Sequence, residues 1–229
     1  MRIDVLDHGY VELIESWGSD ERIVEAARMS TAKGFVGWGT PEEPGDERLL
    51  RFLYENRHHT PFEMAGMTVE VQAPIMVFRD WHRHRTQSYN ELSARYVPLP
   101  DVNYVPSKER IVEGASRAAH NKQAQGITTL DEEALDVWLT DLLRVYGDAQ
   151  AVYEAGLKIG VPKELARLPV PVARYSRMRA SANLRNWLAF LTLRMDKAAQ
   201  WEIRQYANVV ATFVEASFPK TYELFAGGR

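Results

Sequence analysis

The chain of 229 residues contains no cysteine. That absence excludes disulfides, thiolate metal ligands and a cysteine nucleophile. No apolar run reaches the roughly 18 residues a membrane-spanning helix needs, so no span is expected. The start, Met1-Arg2-Ile3-Asp4-Val5, meets an acid at once and has no apolar core. No secretory signal is expected, and a cytoplasmic location is the default. Neither G-x-x-x-x-G-K-[ST] nor a G-x-G-x-x-G turn after a strand occurs, so neither P-loop ATP hydrolysis nor a Rossmann cofactor site is indicated. A flavin or nicotinamide would have to be held by side chains. Surplus positive charge is missing as well: the net charge of −3 gives no overall attraction to nucleic acid.

What is present is an ordinary globular composition, 45% apolar and 26% charged. Residues 2–6 and 10–16 alternate in polarity around His8-Gly9 and predict two short strands or a hairpin. Ser19-Asp20 predicts a capped helix to about Ser30, and residues 31–46, rich in Gly and Pro, predict a loop. A helix is expected over 47–56. In His58-His59-Thr60-Pro61-Phe62-Glu63 the Thr60/Glu63 spacing suggests a capping box, which leaves the paired histidines unexplained. Residues 67–72 predict a half-buried strand, and Pro74 opens a helix through Trp81. Residues 97–127 look like a long excursion. Residues 131–155 predict a long helix with Leu135, Leu139, Leu142, Leu143 and Tyr146 inward, followed by a short helix from Pro162. A strand over 175–182, an apolar helix over 183–193 and a final helix over 197–218 complete the chain. No repeat or domain boundary stands out, so the expectation is one α+β domain, residues 1–229, with a mixed sheet flanked by long helices.

Two stretches carry chemistry. Arg83 to Tyr96, R-H-R-T-Q-S-Y-N-E-L-S-A-R-Y, places arginine, histidine, carboxylate and hydroxyl within fourteen residues. Dipole compensation at a helix C-terminus accounts for its cations equally well. From Leu165 to Met195 there are six arginines, at 167, 174, 177, 179, 185 and 194, with no lysine, aspartate or glutamate. Arginine forks suit phosphate, carboxylate or imide edges. RNA, a nucleotide or dinucleotide, and a network of ion pairs all compete as explanations, the last disfavoured by the lack of local carboxylates. Four histidines, 58, 59, 82 and 84, lack helical metal-site spacing and sit among arginines, so no metal is expected.

The polar stretch resembles the signature of the flavin-dependent thymidylate synthases, R-H-R-x-x-S-x-N-x-x-S-x-R. It matches at Arg83, His84, Arg85, Ser88, Asn90, Ser93 and Arg95. Further likeness lies in A-A-R-x-S at 26–30, H-x-T-P-F-E at 58–63 and A-Q-W-E-I at 199–203, and at Ala166-Arg167, Tyr175, Asn183, Arg185 and Arg194. The resemblance implies reductive methylation of dUMP to dTMP, with methylenetetrahydrofolate as carbon donor and NADPH, through FAD, as reductant. It also implies a homotetramer with active sites shared between subunits. It assigns dUMP to Asp80, Arg83, Glu91, Ser93, Ala94, Arg95 and Arg167, and makes Arg194 the residue that polarises the uracil. FAD falls to Ser30, His58, Thr60, Arg83, His84, Arg85, Asn90, Glu91, Asn183 and Arg185, and Arg83 is expected to lie between the two ligands. No metal, nucleic acid or membrane partner is implied. Three positions depart from the family pattern: Ala198 replaces the usual histidine, Ala189 an asparagine, and Asp80 a common glutamine. A loosened flavin contact is the expected consequence.

Overall fold

Alternating polarity at the start of the chain produces the expected hairpin. β1 (Arg2–Val5) pairs antiparallel with β2 (Gly9–Trp17), Val5 opposite Gly9. A Cβ on Gly9 would run into the Tyr206 hydroxyl and the Gln72 and Val5 carbonyls, so only glycine allows that approach. The computed structural model describes residues 1–40, 42–118 and 130–228. They form two compact units, Met1–Leu92 with Arg177–Arg229, and Ser93–Ser176.

In the first unit, β2 pairs with β3 (Gly66–Pro74), β3 neighbours β5 (Tyr175–Asn183), and β5 pairs with β4 (Ser88–Glu91), in the order β1-β2-β3-β5-β4. The ladders β1/β2, β2/β3 and β4/β5 are antiparallel. So is β3/β5: Thr68 meets Ser181 at 3.0 Å while Glu70 meets Arg179 at 3.3 Å, one number rising as the other falls. The sheet is therefore antiparallel where a mixed one was expected. Period-two patterning reports which face a strand buries and is silent about its neighbour's direction. The antiparallel arrangement lets one face stay polar, and Thr68, Glu70, Arg177, Arg179 and Ser181 occupy it.

The other face carries Met67, Val69, Val71, Ala73, Met178 and Ala180, all buried. Helices α3 (Ile75–Trp81), α7 (Leu184–Arg194) and α8 (Trp201–Ser217) join the same core, contributing Val77, Phe78, Trp81, Trp187, Phe190, Ile203 and Tyr206. Burial on this scale, at about 25 cal/mol per Å² of apolar area, is the main term holding the unit together. Helix α1 (Asp20–Arg28) starts as expected from Ser19, whose hydroxyl accepts from the Arg22 N–H at 3.3 Å. α2 (Asp46–Glu55) follows the Gly- and Pro-rich loop. The expected final helix ends at Ser217, and α9 (Pro219–Gly227) restarts at Pro219. Proline cannot continue the ladder but suits a first helical turn.

The second unit holds α4 (Lys108–Ala118), α5 (Glu132–Lys158) and α6 (Lys163–Ala166). α4 falls inside the expected excursion, whose residues 119–127 lie outside the described residues. Arg174, fully buried, donates to the Pro100 carbonyl at 2.7 Å and the Gln150 Oε1 at 2.8 Å, and pairs with Asp101 at 3.0 Å. On α5, Leu135 and Tyr153 are buried, but Leu143, expected inward, is exposed. Trp138, Val145 and Val152, spaced by seven residues, are exposed as well.

Candidate active site

The R-H-R motif begins where α3 ends. Trp81 is sealed into the core against Phe190, ring centroids 4.6 Å apart, and its indole N–H donates to Gln87 Oε1 at 3.0 Å. Tyr89, from β4, donates its hydroxyl to the carbonyls of His84 (2.7 Å) and Trp81 (3.2 Å). Burial pushes that phenol up to about 12, so it remains a donor throughout the physiological range. Asn186, on α7, donates to the Thr86 carbonyl at 3.0 Å. The turn 82–87 is thus tied to α3, β4 and α7. Sequence patterning shows only a polar tract here, because a four-residue strand needs its partner β5 to be recognised.

On this turn the His84 ring packs edge-on to Phe190, centroids 4.9 Å apart. Arg194, closing α7, donates from Nε to His84 Nε2 at 2.8 Å and from Nη2 to the Asp80 carbonyl at 2.7 Å. An arginine cannot act as acceptor, so His84 is the neutral tautomer with its proton on Nδ1. Burial first, and then the Arg194 charge, lower its pKa to about 4. The guanidinium is held at two of its five N–H groups, and the residue is half-buried. It is a preorganised cation with donors to spare. His84, which the resemblance implies for FAD, and Arg194, which it implies for dUMP, are thus in direct contact. The side chains of Arg83 and Arg85 are exposed.

A second group gathers where α2 ends. His58, His59, Thr60 and Arg57 line an open cavity of about 560 Å³ whose apolar wall is Ala27, Leu53 and Pro61. Its size lies within the roughly 300–1,000 Å³ of ordinary ligand pockets. Residues Thr60–Met64 form a 3₁₀ turn capped at His59, without a side-chain cap bond. The expected capping box is absent, because the Glu63 carboxylate is drawn to Arg185 of α7 at 3.3 Å. Asn183 caps α7, its side-chain oxygen accepting from the Asn186 N–H at 3.0 Å. Ser30 follows α1 and donates to the Ala27 carbonyl at 3.0 Å. The loop after it is fixed by Asp46, fully buried, which accepts from Arg28 and from the Val36 and Gly37 N–H groups. Burial alone would push this carboxyl up; those hydrogen bonds and the Arg28 charge hold it below the usual range. Nothing in the sequence marks Asp46, whose partners lie up to eighteen residues away.

Of the remaining implied residues, Asn90 and Glu91 lie on β4. Ser93, Ala94, Arg95 and Arg167 belong to the second unit. There Ser93 opens a turn, accepting from the N–H groups of Tyr96 and Val97, with Ala94 buried. Arg95 pairs with Glu164 of α6 at 3.2 Å, and the exposed Arg167 is the C-cap of that helix.

The arginine-rich segment finds its carboxylates elsewhere in the chain. Arg174 pairs with Asp101, Arg177 and Arg179 with Glu70, and Arg185 with Glu63. Ion pairing, disfavoured for want of local acids, accounts for these four; sequence distance is no guide to distance across a sheet.

A family model described as thymidylate synthase complementing protein matches residues 12–220. The chain belongs to this family. It is 40% identical over 225 residues to a flavin-dependent thymidylate synthase of Thermus thermophilus, covering 98% of this chain and 78% of that protein. To the flavin-dependent thymidylate synthase of Thermosipho melanesiensis it is 38% identical over 227 residues, covering 98% and 93%. Among solved structures it is similar to PolB of Streptomyces cacaoi, a UMP/dUMP methylase bound with 5-Br dUMP. The TM-score is 0.84 at 33% identity, over 98% of this chain and 97% of that one. The family's α+β fold, a sheet backed by long helices, is the fold seen here.

Proposed function

We infer that the chain is a flavin-dependent thymidylate synthase that methylates dUMP to dTMP, using FAD with NADPH and methylenetetrahydrofolate as co-substrates. The observation that carries this reading is the Arg194 guanidinium, fixed by neutral His84 and the Asp80 carbonyl, in a family member without cysteine. C5 of uracil is a poor nucleophile, and with no thiolate to add at C6 another activation is required. When bound, the flavin supplies the hydride that adds at C6. Arg194, its position set in advance by His84, would stabilise the enolate charge that such an addition places on O4 and C5, the carbon to be methylated. The cavity at Arg57 to Pro61, with an apolar wall and polar rim, suits a planar heteroaromatic cofactor.

For dUMP the residues are Asp80, Arg83, Glu91, Ser93, Ala94, Arg95 and Arg167, with Arg167 reaching a phosphate in a neighbouring subunit. For FAD they are Ser30, His58, Thr60, Arg83, His84, Arg85, Asn90, Glu91, Asn183 and Arg185. Residues 1–229 act as one catalytic domain, a reading supported by a family match that spans both compact units. Assembly as a homotetramer is supported by the exposed apolar stripe of α5. No helix among the described residues is long and apolar enough to cross a membrane.

The test is direct. Purified protein supplied with FAD should show bound-flavin absorbance and form dTMP from dUMP, methylenetetrahydrofolate and NADPH. A protein that takes up no flavin and forms no dTMP sinks the reading. Because PolB is described as a UMP/dUMP methylase, solved also with 5-Br UMP, UMP belongs in the same assay as a second acceptor.

A further inference from the structure

Arg57 occupies a conformation that its side chain disfavours. It follows the Asn56 C-cap of α2 with φ of 56°, in the left-handed region. Its N–H donates to the Tyr54 carbonyl at 3.1 Å, and the His58 N–H donates to the Leu53 carbonyl at 2.9 Å. These two bonds make a Schellman motif, whose left-handed position is normally glycine because a Cβ is strained there by about 1–2 kcal/mol. Strain of this kind persists where a side chain is needed for something other than folding. Arg57 lines the 560 Å³ cavity beside His58, His59 and Thr60. Among the described residues it has no carboxylate partner, unlike Arg28, Arg185 and the arginines of β5.

We propose that Arg57 binds an oxyanion carried by the heteroaromatic ligand of this cavity, either a flavin phosphoryl group or the glutamyl carboxylate of the folate. The inference rests on the reading of His58 and Thr60 as flavin-site residues. A guanidinium at the rim meets phosphate or carboxylate with paired donors, while Ala27, Leu53 and Pro61 offer a surface for the flat ring.

Arg57→Gly separates binding from folding, since glycine is the residue this backbone prefers. The melting temperature of the apoprotein should hold or rise. Titrations on apoprotein compare FAD with riboflavin, and titrations on flavin-loaded protein compare tetrahydrofolate with tetrahydropterin, which lacks the glutamyl group. If the anion is phosphoryl, Arg57→Gly weakens FAD by about tenfold and spares riboflavin; a charge-assisted hydrogen bond has that worth. If it is carboxylate, the same loss falls on tetrahydrofolate and spares tetrahydropterin. In either case Arg57→Lys retains most of the affinity. Unchanged affinity for both anionic ligands, or equal loss for charged and neutral members of each pair, overturns the proposal. Wild-type protein that takes no flavin is a different outcome: the functional reading itself then fails, and the inference falls with it.

Discussion

At the residue scale the proposed mechanism rests on one contact, Arg194 Nε to His84 Nε2. Arg194→Ala should lower kcat for dTMP formation by about 10²- to 10³-fold, the usual loss for a preorganised donor, while the flavin titration changes little. Near-normal turnover in that variant would remove Arg194 from the mechanism. His84 adds a pH signature. Its folded pKa, about 4, lies below the ordinary histidine value of 6.5. Between those values the unfolded chain holds a proton that the folded one lacks, so its contribution to stability is complete above 6.5 and declines as pH falls toward 4. Urea midpoints measured across this window should fall with pH, and less steeply in His84→Ala. An identical slope in the two proteins would mean that His84 titrates normally. Above pH 6.5, kcat should show no break attributable to this histidine.

Elements are held in place by buried acids whose partners are distant in the sequence. Asp20, at the start of α1, accepts from the Thr221 hydroxyl at 2.6 Å and from the Lys220 and Thr221 N–H groups at 2.8 and 3.2 Å, capping α9 from two hundred residues away. Burial, the largest influence, raises its pKa despite those three donors. Asp20→Ala should cost about 1–3 kcal/mol in denaturant unfolding, because buried donors are left without an acceptor. Loss of a few tenths only would show that water replaces the carboxylate. Asp46 does the same for the loop after Ser30. Asp46→Ala strands the Arg28 guanidinium and should cost about 3 kcal/mol. Flavin affinity should fall with it, since Ser30 and Ala27 lie at the head of that loop; intact affinity would detach the loop from the cofactor.

At the scale of the whole molecule, the surface of α5 bears on assembly. Trp138, Val145 and Val152 form an exposed apolar stripe along one face of α5. If that stripe holds the proposed tetramer together, Val145→Asp should lower the mass measured by light scattering. An unchanged mass would place the subunit contacts elsewhere.

The sequence by itself determined the hairpin, most helix positions and the signature residues, because these depend on local periodicity, capping and fixed spacing. Once the resemblance implied uracil as the substrate, the lack of cysteine called for an activation without a thiolate. Only the tertiary structure decided that Glu63 serves Arg185 rather than Thr60's turn, that four arginines pair with three acids from other segments, and that β4 is a strand. It also decided that Arg194 meets His84 and that Arg57 is strained at a cavity. For the pairings the reason is the same. Pairing across a sheet, or between a helix end and a turn, is fixed by proximity in the folded chain, and partners far apart in the sequence leave no local pattern to read.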